Sequence, residues 1–140
     1  MYSITLEFIT LEEEYLMNTP RVTESEFRLC LILWEHQPMK SSELVRRCQE
    51  KLGWKETTTY TVIKRLSDRG VVKNEKTIVT ALVSKDEVQA AELNHLLEKT
   101  FEGSLPAFIS AFTNSQQLTE QEVDALQVIL DRYRKEHPHE

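Results

Sequence analysis

No stretch of this chain approaches the roughly 20 apolar residues needed to cross a bilayer, and its start lacks the basic residues and apolar core of a secretory signal. The sequence therefore points to the cytoplasm and to no membrane insertion. Cysteine is scarce: Cys30 and Cys48 are the two present, without Cys-x-x-Cys spacing, each among apolar residues at helical intervals. That pattern argues against a disulfide or a thiolate metal site and reads as reduced core thiols. Of the four histidines, His36 and His95 fall in separate predicted helices, while His137 and His139 lie in a polar tail. No nucleophile, base and orienting group come together, so the sequence predicts neither an enzyme nor a metal or cofactor site. Asp86 and Glu87 read as first-turn helix charges rather than an acid/base pair.

Charge is abundant, at 29% of residues, and unevenly spread. The net charge is −6, yet from Lys40 to Lys76 ten cations (Lys40, Arg46, Arg47, Lys51, Lys55, Lys64, Arg65, Arg69, Lys73 and Lys76) outnumber five anions. That segment carries +5 and the remainder −11. Such asymmetry reads as a basic working surface on an acidic body.

Glycine is scarce as well, and all three glycines, Gly53, Gly70 and Gly103, fall just past a predicted helix, where a left-handed residue is wanted. Thr23 and Glu26 have capping-box spacing, and Phe27, Cys30, Leu31 and Trp34 repeat at i, i+3, i+4, i+7, predicting a helix over 24–36. Pro38 stops it. Ser41 or Ser42 then caps a second helix with Leu44, Val45, Cys48 and Leu52 inside. A third helix starts near Lys55 or Glu56, buries Thr59, Val62, Ile63 and Leu66, and ends at Gly70. From there the period changes to 2, and "VVK" and "TIVTALV" around the polar turn "NEK" predict a hairpin over 71–83. Ser84 with Glu87 caps a helix through Phe101, a short helix from about Leu105 carries Phe108, Ile109 and Phe112, and Thr119 with Glu122 caps the last one.

The predicted fold class is mainly α with a small β-hairpin: a winged helix-turn-helix domain over 21–84, then a three-helix region over 85–136 and a tail over 137–140. Residues 1–20 form an N-terminal extension. Its "YSITLEFIT" alternates like an extra strand or arm. The codons of Glu12, Glu13 and Glu14 also make a purine run shortly before Met17, where a bacterial ribosome-binding site would lie, which suggests Met17 as the native start.

Burial of Thr59, Val62, Ile63 and Leu66 leaves Thr57, Thr58, Tyr60, Thr61, Lys64, Arg65 and Asp68 on the outside of the third helix. A reading helix puts its N-terminal residues against base edges and phosphates. Threonine hydroxyls donate to phosphate oxygens or base acceptors, threonine methyls pack on the thymine C5-methyl, and a helix N-terminus favours phosphate. Double-stranded DNA is therefore the predicted partner. Lys73 and Lys76 of the hairpin, with Lys40 and Ser42 at the second helix, complete the candidate DNA-binding set. Trp54 reads as a packing anchor at the start of the helix.

The stretch "VTESEFRLCLILWEHQPMKSSELVRRCQEKLGWKETTTYTVIKRLSDRGVV" resembles the winged-helix domain of the penicillinase-repressor family (BlaI/MecI, with the copper-responsive CopY branch). The resemblance lies in Ile32, Leu33 and Trp34 ending the first helix, Trp54 before the reading helix, and Arg65, Leu66 and Gly70 closing it. It continues through "NHLLEKTFEGSLPAFISAF" and covers about residues 21 to 134.

What the resemblance implies is a homodimeric transcriptional repressor, each N-terminal domain reading half of an inverted-repeat operator while the C-terminal helices cross with those of the partner. Three short helices with broad apolar faces make a poor isolated core, which agrees with such a dimer. Leu97, Phe101, Phe108, Phe112, Leu126 and Leu130 are the candidates for its shared core. Better-known members regulate β-lactam resistance and are relieved by a membrane sensor protease system that cuts at an Asn-Phe bond; the matching pair here is Asn94-His95. Family members also place a lysine and an arginine where this chain has Thr57 and Tyr60, which points to a different operator. The copper branch carries Cys-x-Cys near its C-terminus, which the tail "RYRKEHPHE" lacks. Two alternatives stay open: a winged-helix protein–protein interaction module, and a metal-responsive repressor.

Overall fold

The structure, a computed structural model, describes residues 19–138. The extra strand or arm and the start at Met17 concern residues outside the described ones. The elements run α1 (Glu24–His36), β1 (Met39–Lys40), α2 (Ser41–Leu52), α3 (Glu56–Asp68), β2 (Val72–Glu75), β3 (Ile78–Ala81), α4 (Lys85–Phe101), α5 (Leu105–Ser115) and α6 (Glu120–Glu136). This is the mainly helical winged-helix layout, with an antiparallel sheet in the order β1-β3-β2. The chain divides into two compact units, one reaching to Leu96 and the other starting at Leu97.

In the first unit the α1 capping box forms: the Thr23 hydroxyl accepts from the Glu26 N–H at 3.4 Å and Glu26 Oε1 accepts from the Thr23 N–H at 2.9 Å. The buried face of α1 is Leu29, Cys30, Ile32 and Leu33, with Glu26. The expected stripe is thus rotated, because Phe27, Leu31 and Trp34 are only half-buried. Phe27 and Trp34 meet edge to face with centroids 5.6 Å apart. The indole N–H of Trp34 donates to the Val83 carbonyl at 3.0 Å, and reaching that polar partner holds the ring at the margin of the core.

Three further expectations are corrected. The hairpin is part of a three-stranded sheet, since Met39 pairs with Val79 and Lys40 with Ile78. With Lys40 in that strand, neither Ser41 nor Ser42 caps α2; the N-cap is Lys40, without a side-chain cap, and Ser41 is buried inside the first turn, its N–H donating to the Thr77 carbonyl at 2.8 Å. The hairpin turn is also not "NEK". Asn74 and Glu75 lie in β2, paired with Val79 and Ile78. The turn residues are Lys76 and Thr77, at φ 52° and 65°, the two positive values that a two-residue primed turn requires.

Met39, Leu44, Cys48, Val62, Ile63, Leu66, Val71, Val72, Val79, Val83 and Val88 complete the core with the α1 residues. Gly53, at φ 70°, lets its N–H turn back to the carbonyls of Cys48 and Gln49 and ends α2 one residue before Trp54. An apolar groove remains open on this unit, lined by Val22, Phe27, Val88, Leu93 and Leu96 among others.

The helices that start in the second unit are capped by side chains. Ser104 Oγ accepts from the Ala107 N–H at 3.1 Å, and Thr119 with Glu122 forms a full capping box. Phe101 and Phe108 meet edge to face at 5.4 Å, and Phe108 stacks on Phe112 at 6.5 Å. Yet no residue of α5 or α6 is buried.

Candidate nucleic-acid interface

The α3 helix starts without a side-chain cap. Its N-cap is Lys55, not Thr57 or Thr58, so its first N–H groups have no side-chain acceptor. Thr59, Val62, Ile63 and Leu66 are buried, as the sequence predicts, and Thr57, Thr58, Tyr60, Thr61, Lys64 and Arg65 are exposed together on the outer face. Thr59 is inside because its hydroxyl can be satisfied there: Oγ1 donates to the Lys55 carbonyl at 3.4 Å and the side chain contacts the Cys48 thiol. Burial raises the Cys48 pKa to about 11, and burial together with the Glu26 charge raises that of Cys30 to about 12. Both stay thiols at neutral pH.

The ten cations of the basic segment separate by their partners. Arg46 is held by Glu43 at 2.5 Å and Glu50 at 2.7 Å, and Arg47 also binds Glu43, at 2.9 Å. These two arginines pull the Glu43 carboxyl down to about 2. Lys51 lies 3.5 Å from Glu35, Lys64 3.4 Å from Asp68 and Lys73 2.6 Å from Glu75, whose carboxyl Lys73 lowers. Arg69 reaches the buried Glu26 at 2.5 Å. Burial pushes the Glu26 carboxyl up, but Arg69 and the Thr23 N–H and hydroxyl together outweigh it and hold the group below its usual value. Among the described residues, Lys40, Lys55, Arg65 and Lys76 have no ion-pair partner. A positive charge without a partner is the one most available to a phosphate.

The candidate DNA-binding residues other than Lys73 fall into two groups. Thr57, Thr58, Tyr60, Thr61, Lys64 and Arg65 share α3. Lys40, Ser42 and Lys76 are gathered at the start of α2, where β1 runs beside β3 and the Ser41 N–H ties α2 to the turn. Lys73 lies apart from that turn on β2, opposite Thr80. Sequence reasoning left out Lys55. The available clue was a cation preceding a helix that has no Ser, Thr, Asp or Asn to cap it.

The other predicted residues also have definite places. Leu97 is buried, Phe101 and Phe108 are half-buried, and Phe112, Leu126 and Leu130 are exposed. Asn94 and His95 are exposed in α4. The His95 ring Nε2 lies 2.9 Å from Arg21 Nη1, and Arg21 Nη2 donates to Glu92 at 2.9 Å. His137 stacks on Tyr133 at 4.1 Å, and His139 is outside the described residues. Among the described residues no helix is long and apolar enough to cross a membrane.

A family model described as the penicillinase repressor matches residues 22–132. The penicillinase repressor of Bacillus licheniformis is 19% identical over 119 residues, covering 82% of this chain and 93% of that protein. The methicillin resistance regulatory protein MecI of Mammaliicoccus sciuri is 20% identical over 118 residues, covering 81% of this chain and 96% of that one. A solved structure of monomeric BlaI from B. licheniformis, in complex with the blaP half-operator, aligns at 18% identity with a TM-score of 0.44, covering 49% of this chain and 88% of that one.

Proposed function

Because the chain belongs to the penicillinase-repressor family, we propose that it is a transcriptional repressor that binds duplex DNA as a homodimer, each winged-helix domain on one half of an inverted repeat. The observation that carries this is the outer face of α3: hydroxyls at its uncapped start, Tyr60 and Arg65 beside them, and Lys55 at the N-cap without a carboxylate partner. Such a face offers donors to phosphates and base edges and a positive field to draw the duplex in. Lys40, Ser42 and Lys76 add backbone contacts from the α2 start and the wing turn. The protein works in the cytoplasm, without a cofactor.

Dimerisation through the helical region over 85–136 is supported by the apolar side chains left uncovered on α5 and α6. Leu97, Phe101, Phe108, Phe112, Leu126 and Leu130 form the shared core. Relief of repression by a sensor protease would cut Asn94-His95, and since that bond lies inside α4 the helix must open locally first.

The test is selection from a random duplex library with the full-length protein, followed by titration of the selected duplex at several salt concentrations. A repressor enriches an inverted repeat and loses affinity steeply with salt, by a log–log slope of about −0.9 for each phosphate neutralised. Weak binding without sequence preference would instead favour a protein–protein module.

A further inference from the structure

At about 100° per residue, Thr57, Thr61, Lys64 and Asp68 line the side of α3 opposite the buried Thr59, Val62, Ile63 and Leu66. Thr61 is therefore on the outermost line, one turn into the helix, where an outer face pressed into a groove reaches deepest. Its hydroxyl is already engaged: Oγ1 donates to the Thr57 carbonyl at 2.9 Å. Thr57 and Thr58, at the same helix end, make no side-chain hydrogen bond among the described residues.

A hydroxyl carries a single proton. With that proton committed to its own helix, Thr61 has none to give a phosphate oxygen or the acceptor atoms N7, O6 and O4 of the base edges. It retains a methyl group and an accepting lone pair. In the major groove the apolar feature that answers a methyl is the thymine C5-methyl. Resting on the repressor reading above, we propose that Thr61 is a specificity-determining residue that reads a thymine in each half-site through its methyl group, while Thr57 and Thr58 supply the donated hydrogen bonds.

The experiment uses the full-length protein and the duplex selected from the random library. Wild type, Thr61→Val, Thr61→Ser and Thr61→Ala are titrated against that duplex and against copies in which each half-site thymine is replaced in turn by deoxyuridine, which removes only the C5-methyl. Valine keeps the methyl and loses the hydroxyl, so Thr61→Val should bind within about twofold of wild type. Thr61→Ser should bind about fourfold more weakly, the effect of one buried methyl. One deoxyuridine position should weaken wild type and Thr61→Val by about the same factor and leave Thr61→Ser and Thr61→Ala unchanged. Circular-dichroism melts confirm that each variant is folded.

Weaker binding by Thr61→Val than by Thr61→Ser would overturn the assignment in favour of hydroxyl reading. An equal deoxyuridine penalty in wild type and Thr61→Ser would overturn it as well. A selection that enriches no sequence at all would remove the repressor reading itself, a different failure from a defined operator that is indifferent to Thr61.

Discussion

The unit that ends at Leu96 and the unit that begins at Leu97 both start helices with side-chain caps, at Thr23 and Ser84 in the first and at Ser104 and Thr119 in the second, yet they differ in what they bury. In the first, side chains from three helices and the small sheet close over one another, and Leu29, Leu33, Leu44 and Leu66 are fully buried. In the second, Leu126 is 43% exposed, Ile129 55% and Leu130 62%. Capping fixes where a helix begins, whereas burial of an apolar face supplies most of its stability. The first unit meets both conditions within one chain. The second meets only the first condition, and the dimer proposed above would cover its apolar face.

The largest effect that would break this contrast is a double substitution on α6, Leu126→Asp with Leu130→Asp. Two carboxylates placed in a shared core each cost several kcal/mol, so the dimer should weaken by more than a thousandfold. Sedimentation velocity reads the oligomeric state. Both tryptophans, Trp34 and Trp54, lie in the first unit, so tryptophan fluorescence reports that unit alone and should show it still folded. A dimer that persists would place the self-association surface elsewhere.

The reciprocal change is Leu66→Ala. Leu66 is fully buried, and removing its side chain leaves a cavity worth about 3 kcal/mol. Urea unfolding followed by tryptophan fluorescence should show that loss, with dimer formation unchanged at denaturant concentrations where the variant stays folded.

A smaller effect concerns the join between α1 and the end of α3. Glu26→Gln removes a buried charge from Arg69, with an expected loss of about 1–2 kcal/mol at pH 7. The sign of its pH dependence follows from the lowered pKa of Glu26. The unfolded chain takes up this proton first as pH falls, so the contribution is present above the unfolded value of about 4.3 and disappears as pH drops through the folded one. Urea midpoints of wild type and Glu26→Gln should therefore differ at pH 7 and draw together as the pH falls through the lowered folded-state value.

These elements also divide by how legible they were. The α3 burial pattern could be read from spacing because Thr59, Val62, Ile63 and Leu66 follow the helical period and the rest are polar. The capping boxes at Thr23, Ser84 and Thr119 could be read because their spacing is local. Strand β1 could not, since two residues carry no alternation and Met39 joins the sheet only through a partner at Val79. The turn has no such signature, because Lys76 and Thr77 take positive φ without the Asn or Gly that usually announces it. In the candidate site, the sequence identified which cations cluster but not which are already held by carboxylates, because pairs such as Arg69 with Glu26 form only when distant elements meet.

That last distinction gives the smallest prediction, and it concerns the basic segment of the first unit alone. Lys55 has no ion-pair partner among the described residues, whereas Lys73 is held 2.6 Å from Glu75. If both reach phosphates, Lys55→Gln should lower the slope of log affinity against log salt by about one, while Lys73→Gln should lower it by less, because its ammonium must first leave Glu75. The measurement is a salt titration of each variant on the same selected duplex. Exposed pairs of this kind are worth at most about 1 kcal/mol, so the contrast between the two lysines should be modest but of fixed sign. Equal slopes would mean that Glu75 releases Lys73 freely on docking, and that ion pairing in the free protein does not decide which cations the duplex recruits. Neither substitution should alter self-association, because both lysines belong to the first unit while the proposed shared core, from Leu97 to Leu130, belongs to the second.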